Sequence, residues 1–274
     1  IPAVFWDEYP PYKKLSDDQK REFFRHRGAS QLSQFLHGEQ GALLVASQLV
    51  SCAPTYQAKL YAASQAFDEA RHVEAFSRYI QTRSKLMYPV GTGLKSLLDK
   101  ILTDERWDLK LIGMQIIIEG LALAAFNTAK AVTPDPVFRD ILHLIIRDEA
   151  RHVTFGVNYL EDFIENLTDG EREDRAMFAY EACVISKERL FPTDVFRKFG
   201  WNEDEAREFS NNAGFALEFQ RLLFSRVVPN LSRIGLLTDK VRPLYDKLGV
   251  LEFESHTAED ITWAELEKPL DLTA

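Results

Sequence analysis

A six-residue segment rich in metal-binding side chains occurs twice in this chain. Asp-Glu-Ala-Arg-His-Val occupies residues 68–73 and again residues 148–153, an offset of 80 residues. In each copy the glutamate and the histidine stand three residues apart, so both side chains project from one face of a helix. A carboxylate and an imidazole placed in this way are a donor pair for a transition metal ion. The two pairs are Glu69 with His72 and Glu149 with His152.

A further glutamate precedes each copy by 30 residues. Glu39 stands before the first copy and Glu119 before the second, which reproduces the offset of 80. Both lie among apolar residues, so we expect them to face the core of a bundle. An ionised carboxylate is very unfavourable there unless a cation neutralises it. The pattern therefore predicts two tandem helical hairpins, each with Glu on one helix and Glu-x-x-His on the next.

Four glutamates and two histidines form the ligand set of carboxylate-bridged dinuclear centres. Four clustered carboxylates would repel one another, and two divalent ions neutralise their formal charge. Mixed oxygen and imidazole donors suit iron or manganese, and the absence of thiolate gives zinc no advantage. We therefore predict two iron ions, or one manganese and one iron. The predicted ligands are Glu39, Glu69, His72, Glu119, Glu149 and His152.

One aspartate and one arginine in each copy are expected to support the ligands. A metal-bound imidazole commonly donates its other N–H group to a carboxylate, which fixes the ring. We expect each aspartate to bond across the bundle to the histidine of the other copy, and each arginine to balance an aspartate nearer the bundle end. These residues are Asp68 and Arg71 in the first copy and Asp148 and Arg151 in the second. Of the other histidines, His37 and His143 lie near the motif helices and are candidates for similar supporting contacts.

The composition is that of a soluble globular protein, with 274 residues, 46% hydrophobic and 27% charged. A net charge of −9 disfavours general binding to nucleic acids or anionic membranes, which reward clustered Lys and Arg. We find no signal-peptide pattern and no apolar run near the roughly 20 residues that span a bilayer. Cys52 and Cys183 are isolated in apolar surroundings and are expected to be buried thiols. We expect a cytoplasmic location.

Strong helix formers dominate the chain, and glycine and proline mark the ends of helices. No segment alternates in the manner of a strand, so we predict an all-α protein. One domain, 1–274, is expected to hold a metal-binding bundle at about 29–166, accessory helices at about 170–250 and an acidic tail at about 255–274. The predicted helices are 16–27, 29–52, 55–84, 93–103, 106–132, 135–166, 170–190, 192–199, 203–228 and 238–248.

These motifs resemble those of the ferritin-like di-iron carboxylate superfamily. The doubled Asp-Glu-x-Arg-His is similar to the motif of bacterial multicomponent monooxygenase hydroxylases and nearly to that of acyl-carrier-protein desaturases. Residues 147–154 and the N-terminal segment 5–16 are similar to parts of the ribonucleotide reductase small subunit. The resemblance covers about residues 30–165. It implies a ferritin-like four-helix bundle, two iron ions, dioxygen as co-substrate, an external electron donor such as a reductase or ferredoxin, and a homodimer.

Three positions depart from the individual families. Phe76 stands where ribonucleotide reductase small subunits usually carry the radical tyrosine, although a phenylalanine variant with a manganese–iron centre exists. Leu123 stands where the multicomponent hydroxylases place a threonine. Ile145 stands where the N-oxygenase branch adds a third histidine. The resemblance therefore identifies the superfamily and leaves the family open.

The function that these observations favour is dioxygen-dependent oxidation of a small, largely apolar organic substrate by an oxidase or monooxygenase. No catalytic residue is predicted beyond the metal ligands. Two alternatives stay open, a radical-generating subunit that serves a larger partner and an iron-oxidising storage protein. The residues expected to line an apolar substrate pocket are Phe35, Phe76, Met114, Leu123, Phe126 and Phe155.

Overall fold

A computed structural model describes residues 6–188, 191–212 and 214–256. Every regular element in these ranges is a helix, and none is a strand, which confirms the all-α prediction. The predicted acidic tail falls almost wholly on residues 257–274, which lie outside the described ranges.

Four long helices form the metal-binding bundle, and shorter helices surround it. The long helices are α2 (Asp17–Cys52), α3 (Tyr56–Tyr79), α5 (Trp107–Val132) and α6 (Pro136–Glu165). The others are α1 (Pro10–Lys13), α4 (Thr92–Thr103), α7 (Asp169–Glu188), α8 (Thr193–Lys198), α9 (Glu203–Asn212), α10 (Gly214–Arg233) and α11 (Arg242–Leu248), followed by a 3-10 turn at Leu251–Ser255.

Helix α2 replaces two predicted helices, 16–27 and 29–52, with one of 36 residues. Ser16 caps its start, because its hydroxyl accepts from the amide of Gln19, whose side chain accepts from the Ser16 amide in return. Gly28, the predicted break, is accommodated in the middle of the helix. A single glycine costs a helix only about 1 kcal/mol relative to alanine, too little to end a helix that packs along the whole bundle.

The other bundle helices begin where the sequence predicts. Pro54 follows α2, and the hydroxyl of Thr55 then accepts from the Ala58 amide to cap α3. Asp135 caps α6 in the same way, with Pro136 in the first turn, where its missing N–H is not needed. Each hairpin thus has a short connection whose proline ends one helix and whose polar cap begins the next.

Helix α5 contains a wide-turn π segment, Ile112–Ile118, immediately before Glu119. The sequence pattern does not predict this segment. Gly156 on α6 makes room for it, since a Cβ at residue 156 would lie 2.6 Å from Cβ of Gln115. Single π turns inside α-helices are frequent at functional sites. Here the segment carries the side chain of Gln115 into the bundle interior.

Helix α5 is also the most apolar helix described. Its length and composition would suit a membrane span, but 89% of its most apolar 18-residue stretch is buried inside the protein. Helices α2, α6, α7 and α10 pack around it, as expected for the central helix of a large core. A second, smaller core joins the N-terminal segment to α8 and α9 through Trp6, Tyr9, Phe23, Phe196 and Trp201.

The C-terminal helices differ from the prediction at Pro229. The described parts of the predicted helix 203–228 are helical, as α9 and α10, and α10 continues through Pro229 to Arg233. Proline costs a helix interior about 3 kcal/mol. Val227, Val228 and Leu231 are fully buried around it. Each such side chain contributes about 1.5–3 kcal/mol, so burial outweighs the cost and the helix does not stop.

Candidate metal centre

The six predicted ligands meet inside the bundle. Helices α2 and α5 supply one glutamate each, and α3 and α6 supply a glutamate and a histidine each. The side chains belong to residues no more than 5% exposed, and Glu69 is completely buried. Two tandem hairpins therefore place the repeated residues on opposite sides of one centre. The six are Glu39, Glu69, His72, Glu119, Glu149 and His152.

The donor atoms fall into two groups of four. One group contains Glu39 and His72, and the other contains Glu119 and His152, and both share Glu69 and Glu149. Within each group one donor atom per residue lies within 4.8 Å of the others. Two neighbouring ions could be held here, with Glu69 and Glu149 shared and one further glutamate and one histidine for each.

The two imidazoles present the same nitrogen to the centre. Nδ1 of His72 lies 3.0 Å from Oε2 of Glu39 and 3.1 Å from Oε1 of Glu149. Nδ1 of His152 lies 3.2 Å from Oε1 of Glu69 and 3.7 Å from Oε2 of Glu149. The Nδ1 atoms therefore face the cluster of carboxylates and would be the donors to a metal ion, whereas the Nε2 atoms point away from it.

Outside the centre, the two copies exchange partners. The Nε2–H group of His72 donates to Asp148 at 3.2 Å, and that of His152 donates to Asp68 at 3.3 Å. These bonds fix the ring orientation and leave Nδ1 as the lone-pair donor when the imidazoles are neutral. Each aspartate thus orients a histidine of the other copy.

Two arginines, one on α3 and one on α6, contact the two aspartates. Arg71 donates to Asp148 at 3.0 Å and also bonds to Asp68, while Arg151 donates to Asp148 at 2.7 Å and to Asp68 at 3.3 Å. Both arginines are about half exposed and both aspartates are buried. The four side chains form a network that balances two buried negative charges. Burial acts to raise the pKa of each aspartate, but its histidine partner and then Arg71 outweigh burial and hold the pKa below its usual value.

Without metal ions the ligands carry strongly displaced pKa values. Burial, and then the neighbouring Glu149, raise the pKa of Glu39 and of Glu119 well above the usual range. Burial also acts to raise the pKa of Glu69, but the adjacent imidazoles of His152 and His72 outweigh burial and lower the pKa to about 2. Burial disfavours the charged imidazoles, yet their carboxylate partners raise both histidine pKa values.

Several donor atoms have no hydrogen-bond partner in the described part of the chain. Oε2 of Glu69, Oε2 of Glu119 and Nδ1 of His152 are buried and unpaired by hydrogen-bond geometry. Buried polar atoms of folded proteins are nearly always paired, so several orphans that face one point require an explanation. Metal ions at these positions would satisfy them, and the residues present therefore fit a dinuclear centre.

Two glutamines beside the ligands were not predicted. The amide of Gln65 donates to Oε1 of Glu119 at 2.7 Å and to Oε1 of Glu69 at 3.1 Å. Gln115 donates to Oε1 of Gln65 at 2.9 Å. Both glutamines are buried. The sequence held one signal for Gln65, since it precedes Glu69 by one helical turn, but an amide at that spacing is common on helices.

The six predicted pocket residues separate into two sets. Phe35, Phe76 and Phe126 pack on one another, with ring centroids 4.8–5.9 Å apart, and belong to the core together with buried Met114 and Leu123. Phe155 instead lines a surface groove beside α6. The structure thus brings five of them into packed core and one to a cavity wall.

The other candidate histidines contact residues away from the ligands. His37 lies 2.9 Å from the carbonyl oxygen of Tyr88 through Nε2 and 3.1 Å from Gln40 through Nδ1. His143 lies 3.0 Å from Nζ of Lys130. The thiol of Cys183 is buried, which raises its pKa to about 12, and neither cysteine forms a disulfide.

Comparison with known proteins shows the fold. No protein-family model matches the chain, and no curated protein sequence matches it. A solved structure, protein 19 with aldehyde deformylating oxidase activity from Synechococcus, matches with a TM-score of 0.61 and 17% identity over 82% of this chain and 97% of that one. The chain therefore has the ferritin-like helical fold that its repeated motifs predict.

Proposed function

We propose that this protein holds two metal ions, two irons or one manganese and one iron, and uses them with dioxygen to oxidise a small, largely apolar organic substrate. The observation that carries the proposal is the pair of buried four-donor groups that share Glu69 and Glu149. Two ferrous ions bound there would supply two electrons to dioxygen, and an external donor must restore them.

The donor set supports iron or manganese. Each group offers three carboxylates and one imidazole, and no thiolate is among the donors. Oxygen-rich sites with one imidazole suit ions of this hardness, whereas soft ions select sulfur. Four carboxylates together with two divalent ions would give a neutral centre, which is the state that a buried site favours.

The chain's own residues keep the centre rigid and dry. Asp148 and Asp68 hold the imidazole rings through Nε2, so the Nδ1 atoms stay on the donor side. Buried Phe76 and Phe126 pack beside the Glu39–His72 end and exclude water from it. Exclusion of water limits unproductive loss of oxidising equivalents to solvent.

The fold likeness is in line with this proposal. The Synechococcus protein is described as having aldehyde deformylating oxidase activity, so the same helical architecture supports oxidation chemistry elsewhere. At 17% identity the likeness extends to the fold, and the aldehyde belongs to that protein. For this chain we propose the reaction class from the donor set.

Metal loading and oxygen uptake test the proposal together. Purified protein is stripped of metal, loaded anaerobically with Fe²⁺ alone or with Mn²⁺ and Fe²⁺, and analysed for bound metal by mass spectrometry. Oxygen consumption and the optical spectrum are then followed after mixing with oxygenated buffer. We expect about two ions per chain and a transient absorption band that requires dioxygen.

Two variants give the matched comparison. Glu149→Ala removes a carboxylate shared by both groups and should abolish binding of both ions and oxygen uptake. His37→Ala removes a histidine of α2 that contacts Tyr88 and should leave both unchanged. A metal-loaded protein that consumes no dioxygen would refute the proposal. A copurifying large catalytic partner would favour the radical-generating subunit, and a large spherical oligomer would favour iron storage.

A further inference from the structure

The repeat allows the two ends of the centre to be compared position by position. Residues that differ by 80 in number occupy equivalent places in the two hairpins, as Glu39 and Glu119 do. Beside the Glu119–His152 end stand three polar residues. Their equivalents beside the Glu39–His72 end are all apolar. The pairs are Tyr61 and Ile141, Gln65 and Ile145, and Gln115 and Phe35.

Two of the three polar residues have buried polar atoms without a partner among the described residues. Gln115 donates through its amide nitrogen to Gln65, but its Oε1 is buried and accepts no hydrogen bond. The hydroxyl of Tyr61 is likewise buried and unpaired. An acceptor and a hydroxyl left unpaired beside one end of a centre are expected where a ligand completes the hydrogen bonds.

Tyr61 lies directly beside the ligands of this end. Its ring stands perpendicular to that of His152, with centroids 6.5 Å apart. The charges of His152 and Glu119 both act on its hydroxyl, although burial is the main cause of its raised pKa. Tyr61 and Gln65 precede Glu69 by two turns and one turn, so all three share a face of α3.

An aromatic wall runs from Tyr61 to the surface. The ring of Phe155 stacks on Tyr61 with centroids 3.6 Å apart and planes 9° apart, and Tyr159 stacks on Phe155 at 5.4 Å. Trp107 packs edge-on against Tyr159 at 5.6 Å. Trp107, Phe155 and Tyr159 line an open groove of about 490 Å³. Phe155 is thus the boundary between the groove and Tyr61.

The opposite end is closed by comparison. Phe35, Phe76 and Phe126 interlock there, and the last two are no more than 1% exposed. The groove near that side is lined by residues such as Leu36, Ile80 and Lys85, with no aromatic wall. The unpaired polar atoms and the aromatic wall are therefore both on the side of the Glu119–His152 end.

We propose that the substrate approaches the Glu119–His152 end through this groove and is a small aromatic compound with a hydroxyl or amino group. The ring would lie along the wall formed by Phe155, Tyr159 and Trp107. Neither Tyr61 nor Gln115 lines the groove, so the Phe155 ring would have to turn aside for the polar group to donate to Oε1 of Gln115 and accept from the Tyr61 hydroxyl. This inference rests on the proposed function, because the site is a substrate site only if the centre oxidises a bound compound.

Equilibrium binding tests it without turnover. Calorimetric titration of metal-free and of anaerobic ferrous-loaded protein would use 4-methylphenol, 4-methylaniline and p-xylene, which share a ring and differ in the polar group. We expect the phenol or the aniline to bind at least about tenfold more tightly than p-xylene, since a buried polar site left unpaired penalises the hydrocarbon. Tyr61→Phe, which removes one oxygen atom, should lower the affinity for the polar compound about tenfold and leave p-xylene unaffected.

Controls separate this site from general effects. Tyr79→Phe removes another hydroxyl of α3, which donates to Asp135. This variant should bind all three compounds as the wild type does. Gln115→Leu provides a second, independent loss of selectivity, and circular dichroism confirms that each variant is folded. Equal binding of all three compounds to the wild type, or unchanged selectivity in Tyr61→Phe, would overturn the inference. Selective binding without oxygen uptake would refute the proposed function instead.

Discussion

The Glu39–His72 end and the Glu119–His152 end of the centre have the same ligands and different surroundings. Glu, Glu-x-x-His and the crossed aspartate are repeated at an offset of 80, and the structure places them around one centre. Around them, Phe35 is replaced by Gln115 in the second hairpin, and Phe76 by Gly156. Two ions would require balanced donors from both halves, which explains why the ligands match. The surrounding positions would not contact the ions directly, and they differ between the two ends.

The largest effect that we predict is a steep pH dependence of metal binding. In the metal-free protein the pKa values of Glu39, Glu119, His72 and His152 are raised, so these groups retain protons that a metal ion must displace. The pKa of Glu69 is lowered to about 2, so this shared ligand releases none. Affinity should therefore fall as pH falls, with release of about two to four protons on loading both positions at neutral pH.

Calorimetric titration with Mn²⁺ in buffers of different ionisation enthalpy counts those protons. Release of fewer than one proton would show that the terminal ligands are already ionised in the metal-free protein. The variant Glu39→Gln removes one titrating carboxyl while keeping its shape. It should reduce the number of protons released at the Glu39–His72 end and leave the other end unchanged.

The crossed aspartates, whose pairing the sequence predicted, lead us to expect an effect of intermediate size at the end of the centre that belongs to the other copy. Asp148 belongs to the second copy but bonds to His72 of the first. Asp148→Asn should weaken metal binding at the Glu39–His72 position by about 10–100-fold. In a His72→Ala background the same change should have little further effect, and in a His152→Ala background it should retain its full effect, as a two-residue mutant cycle would measure. Equal effects in both backgrounds would contradict the crossed pairing.

The smallest predicted effect is on stability and concerns Gly156, which packs closely against Gln115. In Gly156→Ala the new methyl group would lie 2.6 Å from Cβ of Gln115, so α5 and α6 would have to separate. We expect a loss of about 1–3 kcal/mol in the free energy of unfolding. Gly28→Ala, also within a long helix, meets nothing within 4 Å and should gain about 0.5–1 kcal/mol. Urea unfolding of both variants compares them directly, and equal stability would show that the close approach is unimportant.

The features that the sequence predicted share a physical basis. The repeated ligand set consists of glutamates and histidines at fixed helical spacing. The helix boundaries at Pro54 and Asp135 follow from local backbone chemistry. These depend on neighbours within a few turns, so they are readable without the fold. The bundle itself followed because four buried carboxylates leave few alternative arrangements.

What the sequence did not reveal depends on contacts between distant segments. The π segment before Glu119 exists because Gly156, some 40 residues later, leaves room for it. Gln65 and Gln115 look like ordinary helical amides until their partners are known. The helix through Pro229 persists because of what it packs against. The sequence also could not separate the residues of the expected pocket that pack in the core from Phe155, which lines a groove, because phenylalanine occurs in both settings.

The burial of α5 has a consequence for the order in which the chain must be made. Its apolar surface is covered in part by α10, where Cγ2 of Val227 would lie 3.2 Å from a Cβ at Gly120. On the ribosome, α10 emerges about 100 residues after α5, at ~5–20 residues per second. For several seconds α5, which is apolar enough to suit a membrane, is not covered by α10. Helix α10 therefore covers the apolar surface of α5 only late in synthesis. A chain shortened before α10 should require chaperones to stay in solution.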